Sequence, residues 1–458
     1  MTSLEKKSAA SLASIYALRM MGLFMILPVF SLYAESLNGV TPFLVGLAIG
    51  IYGLTQAIFQ IPFGMLSDRI GRKPVIAAGL LIFAIGSVVA ATSDSVMGVV
   101  IGRAIQGAGA IAAAVMALTA DLTREEHRVK AMAMIGGSIG LAFAFSLVAG
   151  PILDTWIGVD GIFWLTAVLA IIAIFVLFKI VPNPVRSKFH RDAEPVPAQF
   201  KTVLSDSELL RLDAGIFILH MVLTASFIVL PFALRDHANM ESDIHWWIYL
   251  PVLLVALVTM VPFVIVAEKK RRIKQIMSGA ILVLAISEFL LLVDHYSASS
   301  IFFALLLFFI AFNVLEAVLP SMVVKTAQPH LKGTATGIYS SAQFLGAFFG
   351  GIIGGILYGD YGVDGVFGFC GLALLFWAYL VFTMKNPRYL ANFMINVGEI
   401  DENEAKRLVN ELTNIQGVAE VVVIPEDGIA YLKIDNHAVD KSALLAFSKE
   451  DDTITSNH

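Results

Sequence analysis

The sequence predicts an all-α membrane protein with twelve transmembrane helices in two six-helix bundles, followed by a small C-terminal α+β domain. Three observations predict it: the composition, the number of long apolar runs and a change of charge near residue 389. Of the 458 residues, 58% are hydrophobic and 15% are charged, whereas soluble domains contain about 25% charged residues. This composition excludes a soluble multidomain enzyme and a collagen-like, disulfide-rich or disordered chain.

Twelve apolar runs are long enough to cross a bilayer, whose hydrocarbon core needs about 20 residues of helix. The first run is too long for a signal-peptide core and no cleavage pattern follows it, so we expect a retained span. The predicted spans are 12–34, 43–66, 75–93, 96–120, 131–153, 161–181, 209–235, 245–267, 273–293, 299–324, 333–358 and 364–385.

Lysine and arginine are distributed unequally between the loops. The loops on the side of the amino terminus contain 23 of these residues, and the six loops on the other side contain one, Arg235. Basic residues near span ends stay in the cytoplasm. We therefore expect both termini to be cytoplasmic.

The two sets of six spans resemble each other. Asp68 and Glu268 each open a basic loop after the second span of a half, and Arg128 and Lys332 each precede the fifth span, at offsets of 200 and 204 residues. Parallel repeats of this kind usually enclose a central substrate pathway. The predicted units are a first bundle at 1–181, a cytoplasmic linker at 182–208, a second bundle at 209–388 and a C-terminal domain at 389–458.

The C-terminal region differs from the rest in charge. From Tyr389 onward it contains 5 basic and 13 acidic residues. Its periodicity alternates between strand-like and helix-like. This predicts a β-α-β-β-α order, with elements at 390–397, 401–413, 417–424, 429–434 and 440–448.

The most specific motif follows the second span. In the segment 64–74, Gly71 permits a tight turn and Pro74 suits the first turn of the next helix. The segment resembles the G-x-x-x-D-R-x-G-R-[RK] loop of the major facilitator superfamily, and the resemblance covers residues 1–388. It implies a multi-pass transporter of the bacterial inner membrane that works by alternating access. The matching residues are Gly64, Asp68, Arg69, Gly71, Arg72 and Lys73.

The resemblance also implies that this loop is a cytoplasmic latch. Asp68 would face the amino-terminal end of the eleventh helix at 333–336, and Arg72 would pair with Asp121. A carboxylate at a helix amino terminus contributes about 0.3–2 kcal/mol. The hypothesis is that the latch stabilises the outward-open state; the alternative is a charged hairpin that only sets topology.

Two further segments match patterns of the superfamily. Arg103 and Gln106, with two glycines, fit R-x-x-Q-G-x-G in the fourth span, where the family resemblance implies proton coupling or a structural role. An arginine within a span needs partners in the protein interior. Gly150 and Pro151 retain part of the antiporter motif G-x-x-x-G-P-x-x-G-G in the fifth span, which is weak support for exchange.

Other polar residues lie at membrane depth. Asn313 and Glu316 share a helix face at i and i+3, and Glu316 and His220 can titrate, so we treat these three as candidates for coupling or for lining the cavity. A structural hydrogen-bonding role remains the alternative for each. The remaining polar residues are Arg19, Gln56, Gln60 and Glu288. Two glycine stripes, at 136 and 140 and at 346, 350 and 354, predict close helix packing.

The acidic tail resembles the ferredoxin-like fold of heavy-metal-associated domains. It has no C-x-x-C, and Cys370 is the single cysteine, so we expect neither a soft-metal site nor a disulfide. The acidic residues of the domain would take a hard cation or a basic cytoplasmic loop such as 268–274, or the domain would dock on an unknown partner. An inert appendage is the alternative.

Together these features predict a secondary transporter rather than an enzyme, a proton-driven efflux antiporter of small, lipophilic solutes. No G-x-x-x-x-G-K-[ST] loop occurs, so we expect an ion gradient, without a cofactor, to supply the energy. The expected partners are a small-molecule substrate and the bilayer, and not nucleic acid. The alternatives are a membrane sensor that signals through its C-terminal domain and an uncoupled facilitator.

Overall fold

The computed structural model describes residues 1–183, 196–385, 391–398, 400–425, 428–435 and 438–448. Most of the predicted linker and the predicted boundary between residues 388 and 389 lie outside these ranges.

Three long helices of the first half begin after a capping side chain, at Thr2, Thr41 and Ser95. Thr2 and Glu5 form a reciprocal capping box. Thr41 caps a helix whose first residue is Pro42, a position where the backbone N–H that proline lacks would have no partner within the helix. The first predicted span, 12–34, is not one continuous helix: the helix ends at Phe24, and separate short helical turns follow at Phe30–Tyr33 and Ala34–Ser36. The long helices are α1 Ser3–Phe24, α2 Pro42–Ile70, α3 Arg72–Ala91, α4 Val96–Ala108, α5 Ala112–Asp121 and α6 Glu125–Lys179.

The fourth predicted span is not one continuous helix. It is broken between α4 and α5 at Gly109, whose backbone angles are φ −73° and ψ 51°. An added Cβ on Gly109 would lie 2.2 Å from the carbonyl oxygen of Gly79. The break therefore lies where the fourth span presses closely on α3.

The second half repeats the arrangement after a short helix at Phe200–Leu204. Its first long helix continues into a π-helical turn at Ala233–His237. The α6 helix and the last helix each contain one glycine with positive φ, Gly158 and Gly362, where the helical geometry is interrupted. The helices are α7 Ser207–Phe232, α8 Trp246–Lys269, α9 Ile273–Val293, α10 Ala298–Thr326 and α11 Lys332–Phe382.

Within the described ranges, nine helical segments are long and apolar enough to cross a membrane. Their outward faces carry large exposed apolar side chains, such as Phe175, Val258 and Leu372. A soluble monomer would not tolerate this much exposed apolar surface. The fold is therefore that of a mostly helical membrane protein.

Equivalent helices pack in the same way in the two halves. Gly150 of α6 lies against the backbone of Met25 at the end of α1, and Gly350 of α11 lies against Met221 of α7. The predicted packing of the stripe at 346, 350 and 354 is therefore confirmed. The prediction for Gly136 and Gly140 is wrong, because a Cβ added at either position meets nothing within 4 Å.

The C-terminal region forms a three-stranded antiparallel sheet of order β1-β3-β2. Ile395, Leu412, Leu432 and Leu444 form its buried core. The sequence elements occur in the predicted order. They are β1 Ala391–Asn396, α12 Glu402–Thr413, β2 Val418–Ile424, β3 Ile429–Ile434 and α13 Lys441–Leu445.

Candidate functional site

The two ends of the helical bundle differ in charge, and we call them the basic end and the opposite end. The basic end carries the loops between α2 and α3 and between α8 and α9, and the opposite end carries Thr41, Ser95 and Arg235.

The loop motif at the basic end is organised around one buried arginine. Arg72 exposes 2% of its side chain and pairs with both Asp68 and Asp121; its Nε lies 3.2 Å from Oδ2 of Asp121. Its Nη1 also donates to Ser67 Oγ at 2.9 Å. Gly71, at φ +98°, lets the chain turn so that Arg72 reaches back toward α2. The structure thus brings together the pair that the family resemblance implied.

The other motif residues have separate roles. The Lys73 ammonium donates to the carbonyl of Val181 at 2.5 Å, and Arg69 is exposed. A Cβ added to Gly64 would lie 2.9 Å from the Ala113 side chain of α5. The motif therefore joins α2 and α3 to two other helices of its own half.

The contact between Asp68 and the start of α11 stays a prediction. At that start, Thr334 Oγ1 accepts a hydrogen bond from the backbone N–H of Val196 and donates to Gln199 Oε1, both at 2.9 Å. The chain between the halves therefore contacts the helix end that the latch hypothesis assigns to Asp68.

The second half has a counterpart of the loop cluster. Glu268 at the end of α8 lies 2.5 Å from the ammonium of Lys325 at the end of α10 and accepts a hydrogen bond from Ser321. Lys325 stands 204 residues after Asp121, which is the offset already found between Arg128 and Lys332. The repeat offset could therefore have identified Lys325, which sequence reasoning missed.

The polar residues of the fourth span lie inside the first half. Arg103 Nη1 donates to Gln106 Oε1 at 3.0 Å, and Arg103 Nε donates to the carbonyl of Ala48 at 3.3 Å. Gln106 in turn donates to Ser87 Oγ at 2.8 Å. The Arg103 guanidinium also lies over the Tyr52 ring. These contacts partner the arginine with neutral groups.

Arg19 repeats this pattern on α1. It is fully buried, donates to Gln56 Oε1 at 2.5 Å, and lies over the rings of Tyr52 and Phe83. Tyr52 therefore lies between two buried guanidinium groups. An arginine keeps its charge at every physiological pH, so this part of the first half carries a fixed positive charge.

The titratable candidates meet between three helices of the second half. His220 Nε2 on α7 lies 3.5 Å from the Glu316 carboxylate on α10 and 2.8 Å from the Gln343 amide on α11. Asp213 occupies the same face of α7 as His220, at i and i+7, and Tyr339 of α11 lies near both carboxylates. We call these residues the central cluster: Asp213, His220, Asn313, Glu316, Tyr339 and Gln343.

The central cluster contains buried polar atoms that no hydrogen bond satisfies. Native proteins leave few buried polar atoms unpaired, and each one calls for an explanation such as water, an ion or a functional role. Sequence reasoning named three members of the cluster and missed Asp213, Tyr339 and Gln343. The unpaired atoms are Asp213 Oδ2, His220 Nδ1, Asn313 Nδ2, Glu316 Oε1 and the Tyr339 hydroxyl.

The halves contact each other at the opposite end and along α2 and α11. Arg235 forms two contacts with the Glu35 carboxylate, at 2.5 and 3.1 Å. Gly46 and Gly351 bring the backbones of α2 and α11 together. We call the Arg235–Glu35 pair the outer bridge. The loop count had singled out Arg235 as the one basic residue of its side, but gave no partner.

The C-terminal sheet contacts the basic end. Lys433 of β3 exposes 5% of its surface, and its ammonium donates to the carbonyls of Lys325 and Thr326 at 3.2 and 3.3 Å. These carbonyls are at the carboxyl end of α10, where a cation is favourable. Lys433 thus links the sheet to the second half.

Comparison with known proteins agrees with this architecture. The model of the Major Facilitator Superfamily matches residues 12–241 and 212–393. The chain belongs to the major facilitator superfamily. It is a membrane transporter of that superfamily, which confirms the identification made from the loop motif.

Individual relatives cover most of the chain. The inner membrane transport protein YajR of Escherichia coli (strain K12) is 44% identical over 446 residues, which are 96% of this chain and 97% of the relative. The multidrug resistance protein MdtH of Aeromonas salmonicida (strain A449) is 24% identical over 350 residues, 74% of this chain and 85% of the relative.

The solved structures match in fold. A bacterial homologue of the human lysosomal transporter Spinster, crystallised inward-facing and unoccupied, superposes with a TM-score of 0.71 at 13% identity and covers 83% of this chain and 97% of its own. At this identity the likeness concerns the fold alone.

Proposed function

We propose that the protein is a proton-driven antiporter that exports small lipophilic solutes by alternating access. In this proposal α4 and α5 form one span, α6 and α11 each form two spans that meet at Gly158 and Gly362, and α1 completes a set of twelve. The basic end faces the cytoplasm of a bacterium, with both termini on that side, and the helices lie in its inner membrane.

The observation that carries the proposal is the central cluster. Glu316 and His220 are ionisable, lie 3.5 Å apart and leave polar atoms unpaired inside a helical membrane protein. Ionisable groups in this position are expensive and commonly form proton relays or substrate sites. A proton and a substrate that compete for this cluster would be exchanged across the membrane.

The packing between the halves supports alternating access. The outer bridge and the glycine contacts of α2 and α11 close the opposite end. Nearer the basic end, Gln60 of α2 donates hydrogen bonds to Gly337 and Ser341 of α11, whereas a Cβ added at Gly136 or Gly140 of α6 would meet no atom within 4 Å. This arrangement supports a state that is open toward the basic end. Opening of the opposite end would then require the Arg235–Glu35 contact to separate.

The comparisons support the direction and the substrate class. The relatives include the multidrug resistance protein MdtH and the inner membrane transport protein YajR. The name of MdtH fits the export of drugs, and the name of YajR fits transport across the inner membrane.

The test is transport in proteoliposomes with an imposed pH gradient, using a panel of lipophilic cations. We expect uphill movement that an uncoupler abolishes. Solute movement that runs only downhill would support an uncoupled facilitator and would contradict the proposal.

One contact favours a second candidate function, sensing through the C-terminal domain. Lys433 binds the end of α10, whose middle carries Glu316. A sensor would bind solute and change the exposure of this domain without any flux. The same proteoliposomes separate the two functions. Uphill flux requires a transporter, whereas solute binding without flux would favour a sensor.

A further inference from the structure

A cavity lies at the opposite end of the second half, away from the central cluster. It has a volume of about 290 Å³ and lies where the π-helical turn after α7, the loop after α9 and the interrupted turn at Gly362 meet. We call it the outer aromatic pocket. Its lining consists of Phe232, Asp236, His237, His295, Tyr296, Tyr358, Tyr361, Gly362, Val363 and Asp364.

The charge around this pocket is mainly negative. Asp236 and Asp364 line it, and within the described part of the chain its lining contains no lysine or arginine. The nearby Arg235 already shares its charge between Glu35 and Asp236. The carboxylate of Asp364 is 62% exposed and lies 3.7 Å from His295 Nδ1. A cation entering the pocket therefore meets an available carboxylate.

The aromatic rings add a second attraction for a cation. Phe232 and Tyr358 stack with their centroids 5.0 Å apart, and the guanidinium of Arg235 lies 5.4 Å from the Phe232 centroid. This ring pair thus already holds one cation on its surface. The Tyr296 ring stacks on His237 with centroids 5.2 Å apart, and Tyr361 exposes 70% of its surface beside the pocket. Ring faces and a carboxylate together are the usual means of holding quaternary ammonium groups.

The size of the pocket limits its ligand. Cavities that hold drug-sized ligands measure about 300–1,000 Å³, so 290 Å³ fits a small molecule. We propose that the outer aromatic pocket binds a small organic ammonium ion, with Asp364 as its counter-ion and the tyrosines around its alkyl groups. The site goes beyond the proposed transport function, because it lies outside the central cluster.

The test is binding of choline chloride to the purified full-length protein in maltoside micelles, measured by calorimetry. The matched probe is 3,3-dimethylbutan-1-ol, which has the shape of choline without its charge, and sodium chloride controls for ionic strength. We expect choline to bind at least about fivefold more tightly than the alcohol. Equal affinity for the two probes, or no binding of choline, would overturn the proposal.

Variants locate the site. Asp364→Asn and Tyr361→Leu should each weaken choline binding about fivefold, whereas Asp360→Asn, a neighbouring exposed carboxylate outside the lining, should leave it unchanged. Unfolding temperatures of the variants check that they are folded. Glu316→Gln should retain choline binding; if Glu316→Gln abolishes it and Asp364→Asn does not, choline occupies the central cluster and the proposal is wrong. Failure of proton-driven transport would leave this result unaffected.

Discussion

The two halves share their helix packing and differ in the chemistry of their interiors. Gly150 and Gly350 bring equivalent helix pairs into contact. In the first half, Arg19 and Arg103 are partnered by amides, a backbone carbonyl and aromatic rings. In the second half, the central cluster contains carboxylates and an imidazole. Both interiors contain buried polar atoms without a hydrogen bond, including Nε and Nη1 of Arg19 in the first half.

The two interiors differ in whether their charged groups can exchange protons. Because an arginine does not titrate in the physiological range, Arg19 and Arg103 keep the same charge throughout a transport cycle. A carboxylate beside a histidine can gain and lose protons. In the proposed function, proton exchange therefore belongs to the second half, and the first half is a fixed framework.

The largest expected effect comes from removing the central carboxylate. Glu316→Gln keeps the shape of the side chain and removes its proton exchange, so proton-driven uphill transport should fall by at least about tenfold. Proteoliposome flux measures it. The control is Glu288→Gln, a buried carboxylate of the same half that accepts a hydrogen bond from Ser226. Wild-type coupling in Glu316→Gln would refute the assignment of proton exchange to this cluster.

A first-half variant should change stability and leave coupling intact. Gln106→Leu removes the acceptor of Arg103 and should lower the free energy of unfolding by about 1–3 kcal/mol. Gln106→Glu restores an acceptor and should recover most of the loss. Thermal unfolding in micelles measures both. An altered pH dependence of transport in Gln106→Leu would show that the first half also exchanges protons.

The shared packing predicts an effect of similar size. A Cβ on Gly350 would lie 2.3 Å from the carbonyl oxygen of Met221, whereas Gly136 has open space around it. Gly350→Ala should therefore lower the free energy of unfolding by about 1–3 kcal/mol, and Gly136→Ala should leave it unchanged or raise it. Equal unfolding temperatures for the two variants would contradict the described packing of α7 and α11.

The latch hypothesis predicts the smallest change. Asp68→Asn should shift the population toward the state open at the basic end by about two- to fivefold, since a carboxylate at a helix end contributes about 0.3–1 kcal/mol. The labelling rate of a cysteine at Gly140 reports this opening. Asp94→Asn, at the opposite end, is the matched control. An unchanged labelling rate in Asp68→Asn would refute the latch.

Features that depend on a short stretch of sequence could be predicted from the sequence. Apolar runs identified the nine segments of the described chain that are long and apolar enough to cross a membrane, because a bilayer requires continuous apolar helix, and the loop motif identified the superfamily. The count of twelve spans stays a prediction. The sequence did not predict the break at Gly109, because a helix-interior glycine looks the same whether or not a neighbouring backbone approaches it. The meeting of Asp213, Tyr339 and Gln343 with Glu316 depends on the rotation of three helices, which no single periodicity fixes.

The central claim is that the halves move against each other, and distances between spin labels test it most directly. One pair of labels would join Ser36 and Asp243 at the opposite end, and a second pair would join Ile70 and Lys270 at the basic end, in a Cys370→Ala background. The account predicts that, between pH 5 and pH 8 in nanodiscs, one distance lengthens while the other shortens. Two distances that stay fixed, or that change in the same direction, would contradict it.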